Sequence, residues 1–447
     1  MDRSLEPALL AFHRAASQVP AYLILLTEAG IRPQDIRTRS DFARLPILDK
    51  ASTFQRFPVE KLCVDGQVGA LGSVLTSSGH SGIFAFGLNG REHRSFAAAA
   101  IDDALDQLFD VRSRRTLLVN CLPMGVRVPT DACTLAETSV RPDMVVGLVR
   151  AFAHHFDQLI LVGETAFIKH TLELGRDARV DWPALPVQVI VGEEPLAENA
   201  RKYLEAILGS AAGAADRGIV ASSMGVAEFG LNLLFEMPPR DRIIPRLRRL
   251  LHEERALRHQ VIGPADWVPS LFTYDPRRVE VEFTSEGRML LTTLDPQARV
   301  PLIRYAPGDY GSVLHIPAAV RPDLENAGIS CDELDSIPII AVLGRGEHAL
   351  AGRNPVYPEA VKEGLYHDPA LARQITANFR LLSGPERARV RVQCAPGVTG
   401  DEIMEKRFSE AIGRYVTAPV TVSCEAYGSF GSGMTLDYER KFNYLKR

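Results

Sequence analysis

The chain has 447 residues, a formal net charge of −4, 46% hydrophobic residues and 24% charged residues. That length exceeds one ordinary domain, so two or more are expected. The balanced charge argues against a nucleic-acid-binding or polybasic membrane-surface protein. The opening Met1-Asp2-Arg3-Ser4-Leu5-Glu6 lacks a charged-then-apolar signal pattern, and no apolar run approaches the length of a membrane span. A cytoplasmic location is expected. Cys63, Cys121, Cys133, Cys331, Cys394 and Cys424 are far apart and form no CxxC pair. They read as free thiols in a reducing compartment rather than a disulfide framework or a structural zinc site.

Residues 1–62 read as helical. Leu9, Leu10 and Phe12 with Ala15 and Ala16 make a stripe at helical spacing, and Pro20 stands near the first turn of a second helix. Ser73-Val74-Leu75-Thr76 is short and β-branched, which predicts a strand. It enters Ser77-Ser78-Gly79-His80-Ser81-Gly82, and the apolar Ile83-Phe84-Ala85-Phe86-Gly87 leaves it. Glycines let backbone N–H groups converge, and hydroxyls add donors, which suits phosphate oxygens. The same residues also make an ordinary hairpin turn. It is not a Walker loop, because the Gly-Lys-Ser/Thr ending is missing.

From 92 to 230 strands and helices alternate. Strands are predicted at Thr116–Asn120, Gln158–Gly163, Val187–Gly192 and Gly218–Ala221, with helices over His93–Phe109, Thr165–Leu174 and Leu196–Leu208. Such βα alternation implies a mainly parallel sheet covered by helices. Ligands bind beyond the carboxyl ends of such strands, which marks Gly192 and Ser222. Arg240, Arg242, Arg246, Arg248, Arg249, Arg255 and Arg258 interleave with Asp241, Glu253 and Glu254, a mixture that reads as a solvated helix or loop face. Val279–Phe283 and Met289–Leu294 form a hairpin signal around Ser285-Glu286-Gly287-Arg288. Leu302-Ile303-Arg304-Tyr305 then leads into the polar turn at Gly308-Asp309. After Gly344-Arg345-Gly346 an α+β segment begins, with helices at Pro358–Leu365 and Asp401–Tyr415 and strands at Val390–Cys394 and Val420–Ser423.

Taken in order, these features resemble the adenylate-forming superfamily of acyl-CoA synthetases, in particular phenylacetate-CoA ligase-like proteins. The resemblance spans nearly the whole chain, beginning with Val19-Pro20-Ala21-Tyr22, Leu45-Pro46-Ile47 and Asp49-Lys50. Thr76–Gly82 is similar to the family's phosphate loop. Gly192-Glu193-Glu194-Pro195 resembles its Gly-x-Glu-Pro turn along the adenine. Met224-Gly225-Val226-Ala227-Glu228 stands where the family has an aromatic-Gly-x-Ser/Thr-Glu motif, and Ser223 just before it is a further candidate for nucleotide binding. Arg304-Tyr305-x-x-Gly308-Asp309 and Gly344-Arg345-x-Glu347 resemble the ribose and hinge motifs, and Gly352 through Pro358-Glu359 continues the pattern. The resemblance implies an α/β chain: a large core over 1–344 with mainly parallel sheets and a small β-rich subdomain, then a small mobile α+β domain over 345–447.

It also implies a two-step reaction. A carboxylic acid, aryl or similarly compact, attacks ATP to give acyl-AMP and pyrophosphate, and the thiol of CoA then displaces AMP. Thr76, Ser77, Ser78, Gly79, Ser81 and Gly82 would hold phosphates, Asp309 the ribose hydroxyls and Arg345 the nucleotide. Glu228 would hold Mg²⁺, a hard cation that prefers carboxylate oxygen. Lys441 would be the catalytic lysine of adenylation, with Lys446 as a fallback. Glu347 would be the hinge, and the backbone at Gly352 would line the pantetheine tunnel. His154, His155, Phe156, Ala227 and Phe229 are the candidates for the acyl pocket.

Several positions depart from the family. No basic residue follows Gly82. His80 either supplies that charge or points to solvent. Met224 replaces an aromatic, and Ala227 replaces a hydroxyl residue. An amine or carrier-protein acceptor, or a nucleotide- or acyl-binding protein without catalysis, are the other readings. No nucleic-acid or membrane partner is expected, and a homodimer is allowed.

Overall fold

The computed structural model describes residues 5–77, 82–123, 125–192, 194–210, 217–236, 242–350, 355–383, 387–431 and 444–445, without the side chains of 92–96 and 347. The chain divides into two compact units. One comprises Met1–Ala100, Gly225–Leu234 and Tyr274–Val313; the other comprises Ile101–Met224, Phe235–Thr273 and Leu314–Arg447.

In the first unit, helices Glu6–Gln18 and Pro20–Glu28 follow one another with Val19 extended between them. Pro20 opens the second helix, where its missing N–H has no intrahelical partner to lose. Phe12, Tyr22, Leu26 and Phe42 pack in one apolar cluster with Leu302, Ile303 and Tyr305. Main-chain bonds from Leu48 N–H to Arg304 O and from Ala306 N–H to Leu48 O tie the helical segment to residues 304–306, which pair through isolated bridges at Tyr305 and not as the strand that the apolar Leu302–Tyr305 suggests. Ser73–Thr76 pairs antiparallel with Phe86–Asn89, Thr76 opposite Phe86. The second strand begins later than Ile83 because Ser77 and Ala85 close the loop below it. Ser77 N–H donates to Ala85 O, and Ala85 N–H donates to Ser77 Oγ. Val279–Phe283 and Met289–Thr293 form the expected antiparallel hairpin, and Gly287 in its turn has φ +82°.

In the second unit, parallel strands run side by side in the order Thr134–Glu137, Thr116–Asn120, Gln158–Gly163, Val187–Val191 and Val220–Val226. The three middle strands are almost wholly buried. Helices cover both faces of such sheets, so their strands read as continuous apolar runs rather than alternations. Thr134–Glu137 and the helix Pro142–Phe152 escaped sequence reading, the strand because it is short and mostly exposed at the edge. Ile375–Leu382, Ala388–Cys394 and Val420–Glu425 form a separate three-stranded sheet. Leu161, Val189 and Leu204 of the parallel layer share one apolar cluster with Val361, Phe379, Val390 and Phe408. Among the described residues no single helix is long and apolar enough to cross a membrane.

Two expectations need correction. Ser222 is not at a strand end: its strand runs on to Val226, and Ser222 is buried within it. The ladder with the neighbouring strand does stop there, at Val191 opposite Ser222. The arginine-rich stretch is not wholly solvated either. Arg248 is 1% exposed and Arg258 is 7% exposed, while Arg240 and Asp241 lie outside the described residues. The reason is positional. Arg248 lies four residues after Ile244 and three before Leu251, on the apolar face of the helix Ile243–Glu253, and carboxylates wait for it there.

Candidate active site

In the first unit the strand Phe86–Asn89, the Ala227–Phe229 turn and the segment at Tyr305 come together. A Cβ on Gly87 would sit 2.2 Å from Ala227 O, so only glycine lets the hairpin backbone press against that turn. Thr76 is exposed and Ser77 half-buried. Gly82 has φ +77°, and space beside it is open. Glu228 is half-buried, and its Oε1 accepts a 2.6 Å hydrogen bond from the Tyr305 hydroxyl. Phe229 tilts toward Tyr305, with ring centroids 6.1 Å apart. A cavity of about 520 Å³ opens beside Glu228 and Phe229, with Leu88, Leu233 and Val300 as apolar wall and Arg14, Arg278 and Arg299 as cations.

The Arg304-Tyr305 pair divides its work. Arg304 turns away from the motif and donates from Nη1 to Ala43 O at 2.6 Å and Leu45 O at 2.7 Å. Its Nε lies 3.4 Å from Glu282. Burial pushes the Glu282 carboxyl up, and Arg304 opposes that rise. Arg304 thus anchors the Leu45-Pro46-Ile47 segment, while Tyr305 serves Glu228. Asp309 is buried and opens the strand Asp309–Val313, just after Gly308 at φ +103°.

In the second unit Gly192 ends the Val187–Val191 strand, its N–H donating to Gly163 O at 3.0 Å. Glu194 accepts on one oxygen from Lys362 Nζ at 2.6 Å and from the Tyr444 hydroxyl at 2.8 Å. Pro195 and Ser223 are half-buried, and Met224 is buried. Arg345 closes the strand Ile340–Arg345 and is half-buried. Gly344 before it has φ +121°, and a Cβ there would meet the Glu359 carboxylate at 2.7 Å. His154 and His155 lie in a short 3-10 turn and are exposed, whereas Phe156 packs against the core of this unit. Ser78, Gly79, His80, Ser81, Glu193, Gly352, Lys441 and Lys446 lie outside the described residues, as does the side chain of Glu347.

One group of residues was missed by sequence reading. Glu198, Arg201, Glu236 and Arg248 form a buried network in which Arg201 reaches Glu236 at 2.6 Å and Glu198 at 3.0 Å, and Arg248 reaches Glu236 at 3.3 Å. The other Glu236 oxygen accepts from Ser222 N–H at 2.9 Å. Glu236 therefore fixes the strand that leads into Met224-Gly225. Burial alone would raise the Glu198 pKa, but Arg201, Arg248 and Arg249 outweigh it and hold it down to about 2. The signal was present: Glu198 and Arg201 are spaced i, i+3 on one helix, and Arg248 interrupts an apolar stripe.

Glu228 passes a test as a cation ligand. One of its oxygens is already oriented by Tyr305, and the described residues contain no group of three His, Cys, Asp or Glu side chains able to hold a metal unaided. A single carboxylate that completes its shell with phosphate oxygens and water is the usual environment of Mg²⁺.

No family model matches the chain, and no curated protein matches it. Solved structures do. The 2-hydroxyisobutyryl-CoA ligase in its postadenylation state, in complex with R3-HIB-AMP, is 14% identical over 99% of this chain and 88% of its own, with a TM-score of 0.69. The chain has the fold of the adenylate-forming CoA ligases. The same CoA ligase with 2-HIB-AMP and CoA in the thioesterification state is 15% identical over 99% and 88%, with a TM-score of 0.55. The anthranilate CoA ligase AuaEII in complex with anthranoyl-AMP is 11% identical over 83% of this chain and 66% of its own, with a TM-score of 0.52. At such identities these CoA ligases share the fold with this chain.

Proposed function

We propose that the protein activates a carboxylic acid with ATP and passes the acyl group to the thiol of CoA. A carboxylate oxygen attacks the α-phosphorus, the α–β anhydride bond breaks, and pyrophosphate leaves. The CoA sulfur then attacks the acyl carbon, AMP departs with the electrons of the C–O bond, and the thiol proton goes to solvent. The observation that carries this reading is the Glu228–Tyr305 bond, next to the close approach of Gly87 to Ala227, in a chain with the fold of the adenylate-forming CoA ligases.

The residue roles follow the chemistry. The attack spreads charge over non-bridging oxygens, so donors must already point there. Thr76, Ser77, Ser78, Ser81 and the amides of Gly79 and Gly82 take that role, with His80 as the cation the loop otherwise lacks. Glu228 holds Mg²⁺, whose charge offsets that of the phosphates. Gly192, Glu193, Pro195 and Ser223–Gly225 flank the adenine, Asp309 accepts from the ribose hydroxyls, and Arg345 orients the nucleotide. Lys441 serves adenylation, and 345–447 moves about Glu347 to admit CoA past Gly352, a gating step. Phe229 and the apolar wall of the cavity support a compact acid with an apolar body. Its arginines suit the carboxylate. Ala227, His154, His155 and Phe156 are the other residues proposed to meet the acid.

The test is carboxylate-dependent pyrophosphate release from ATP, over aryl, arylacetic and short aliphatic acids, with and without CoA. Release that needs a particular acid, is stimulated by CoA and yields an acyl-CoA is the expected result. Release without CoA stimulation moves the acceptor to an amine or a carrier thiol. ATP binding with no release under any acid overturns the enzyme reading.

A further inference from the structure

Glu194 stands in the turn that the ligase reading places along the adenine, yet its carboxylate faces the C-terminal segment. One oxygen, Oε2, accepts from Lys362 Nζ at 2.6 Å and from the Tyr444 hydroxyl at 2.8 Å. The third side of the triangle is closed as well, because Lys362 Nζ lies 4.9 Å from the centroid of the Tyr444 ring. The Lys362 side chain is 5% exposed and that of Glu194 14%. An ion pair this far from water is screened little and loses much when one partner goes.

Both partners are themselves held. Lys362 lies on the helix Pro358–Leu365. Tyr444 is fastened to the strand Ile375–Leu382: Leu381 N–H donates to Tyr444 O at 2.6 Å, and the Tyr444 ring lies tilted against Phe379 with centroids 4.7 Å apart. The turn thus has two supports. The sheet holds it from one end, through Gly192 N–H and Gly163 O. The C-terminal segment holds it from the other, through Glu194.

We infer that Lys362 and Tyr444 are positioning residues for the turn carrying Gly192, Glu194 and Pro195, so that ATP binding and the seating of the C-terminal segment are coupled. The inference rests on the ligase reading, since that reading puts the adenine against this turn. Lys362 and Tyr444 touch no substrate; they act through Glu194. Linkage makes the coupling reciprocal. What Lys362 and Tyr444 add to ATP affinity, bound ATP returns as a firmer hold on the segment that carries them.

The experiment uses the full chain and four variants: Lys362→Met, Lys362→Arg, Tyr444→Phe and the double variant Glu194→Gln/Lys362→Met. ATP affinity is measured by calorimetry. ATP protection of the segment 387–431 is measured by limited trypsin digestion. Lys362→Met and Tyr444→Phe are each expected to bind ATP about fivefold more weakly, the fold-change of one hydrogen bond. Lys362→Arg restores affinity, and the double variant binds no more weakly than Lys362→Met. ATP slows digestion of the segment in the wild type and does so less in Lys362→Met. Tyr444→Phe keeps the ring and its packing, so it reports even where a lysine variant folds poorly. A folded Tyr444→Phe with wild-type ATP affinity and wild-type protection overturns the coupling, whatever its melting temperature. Wild-type protein that binds no ATP overturns the ligase reading and the coupling with it; wild-type binding with unaffected variants overturns the coupling alone.

Discussion

Tyr305 gives its hydroxyl hydrogen to Glu228 across 2.6 Å, and its own main chain exchanges two 2.8 Å hydrogen bonds with Leu291. The tyrosine is wholly buried, so the bond to Glu228 is shielded from competing water. The Glu228 carboxylate is therefore held by a residue 77 positions away in sequence.

Removing that bond should loosen the carboxylate without removing it. Tyr305→Phe is expected to raise the Mg²⁺ concentration for half-maximal ATP–pyrophosphate exchange about fivefold, roughly 1 kcal/mol of hydrogen bond. Glu228→Gln should raise it further. An unaltered magnesium titration in both would leave Glu228 with a structural role only.

Lys441→Ala should separate the two half-reactions. Acyl-AMP formation is expected to fall by more than about a hundredfold, the scale of losing one charged group at a developing negative charge. Transfer from supplied acyl-AMP to CoA should continue at the wild-type rate. Equal loss in both steps would remove Lys441 from this role.

The buried network of Glu198, Arg201, Glu236 and Arg248 predicts an acid limb to stability. Glu198 has a folded pKa of about 2, below its ordinary 4.5. A carboxyl whose pKa is lower when folded adds stability above its unfolded pKa and loses it as pH falls toward the folded one. Urea unfolding should therefore show a loss on the order of 3 kcal/mol from this group between about pH 5 and pH 2. Glu236→Gln leaves Arg201 and Arg248 with one carboxylate fewer and should cost about 3–5 kcal/mol at neutral pH, read in the same titration.

Gly87→Ala tests the close approach of the hairpin to the 227 carbonyl. Its Cβ would fall 2.2 Å from Ala227 O, so one backbone has to move. A loss of about 1–3 kcal/mol is expected, with weaker ATP binding because the same shift displaces Glu228. A variant with wild-type melting temperature and ATP affinity would show that the turn can yield without consequence.

The strands Thr116–Asn120 and Gln158–Gly163 were legible to the residue, because a strand buried on both faces leaves an unbroken apolar run. The hairpin at 279–293 was legible from alternation around a glycine turn. Ser222 was misplaced because a strand that leaves its parallel ladder and continues carries no mark of the change in its own residues. The Gly308-Asp309 turn and the Gly344-Arg345 strand end were legible from their glycines. Glycine at φ +103° and +121° is demanded by local geometry, and local geometry is what a sequence records best.

The sequence by itself determined the alternation of strands and helices, the glycine turns and the candidate acidic residues, since periodicity and backbone freedom act over a few positions. Only the tertiary structure decided what each charge faces. It gave Glu228 to Tyr305, Arg304 to the carbonyls of residues 43 and 45, Arg248 to Glu236, and Glu194 to Lys362, 168 residues away. A buried charge chooses its partner by distance in space and by exclusion of water, and neither quantity has a period along the chain.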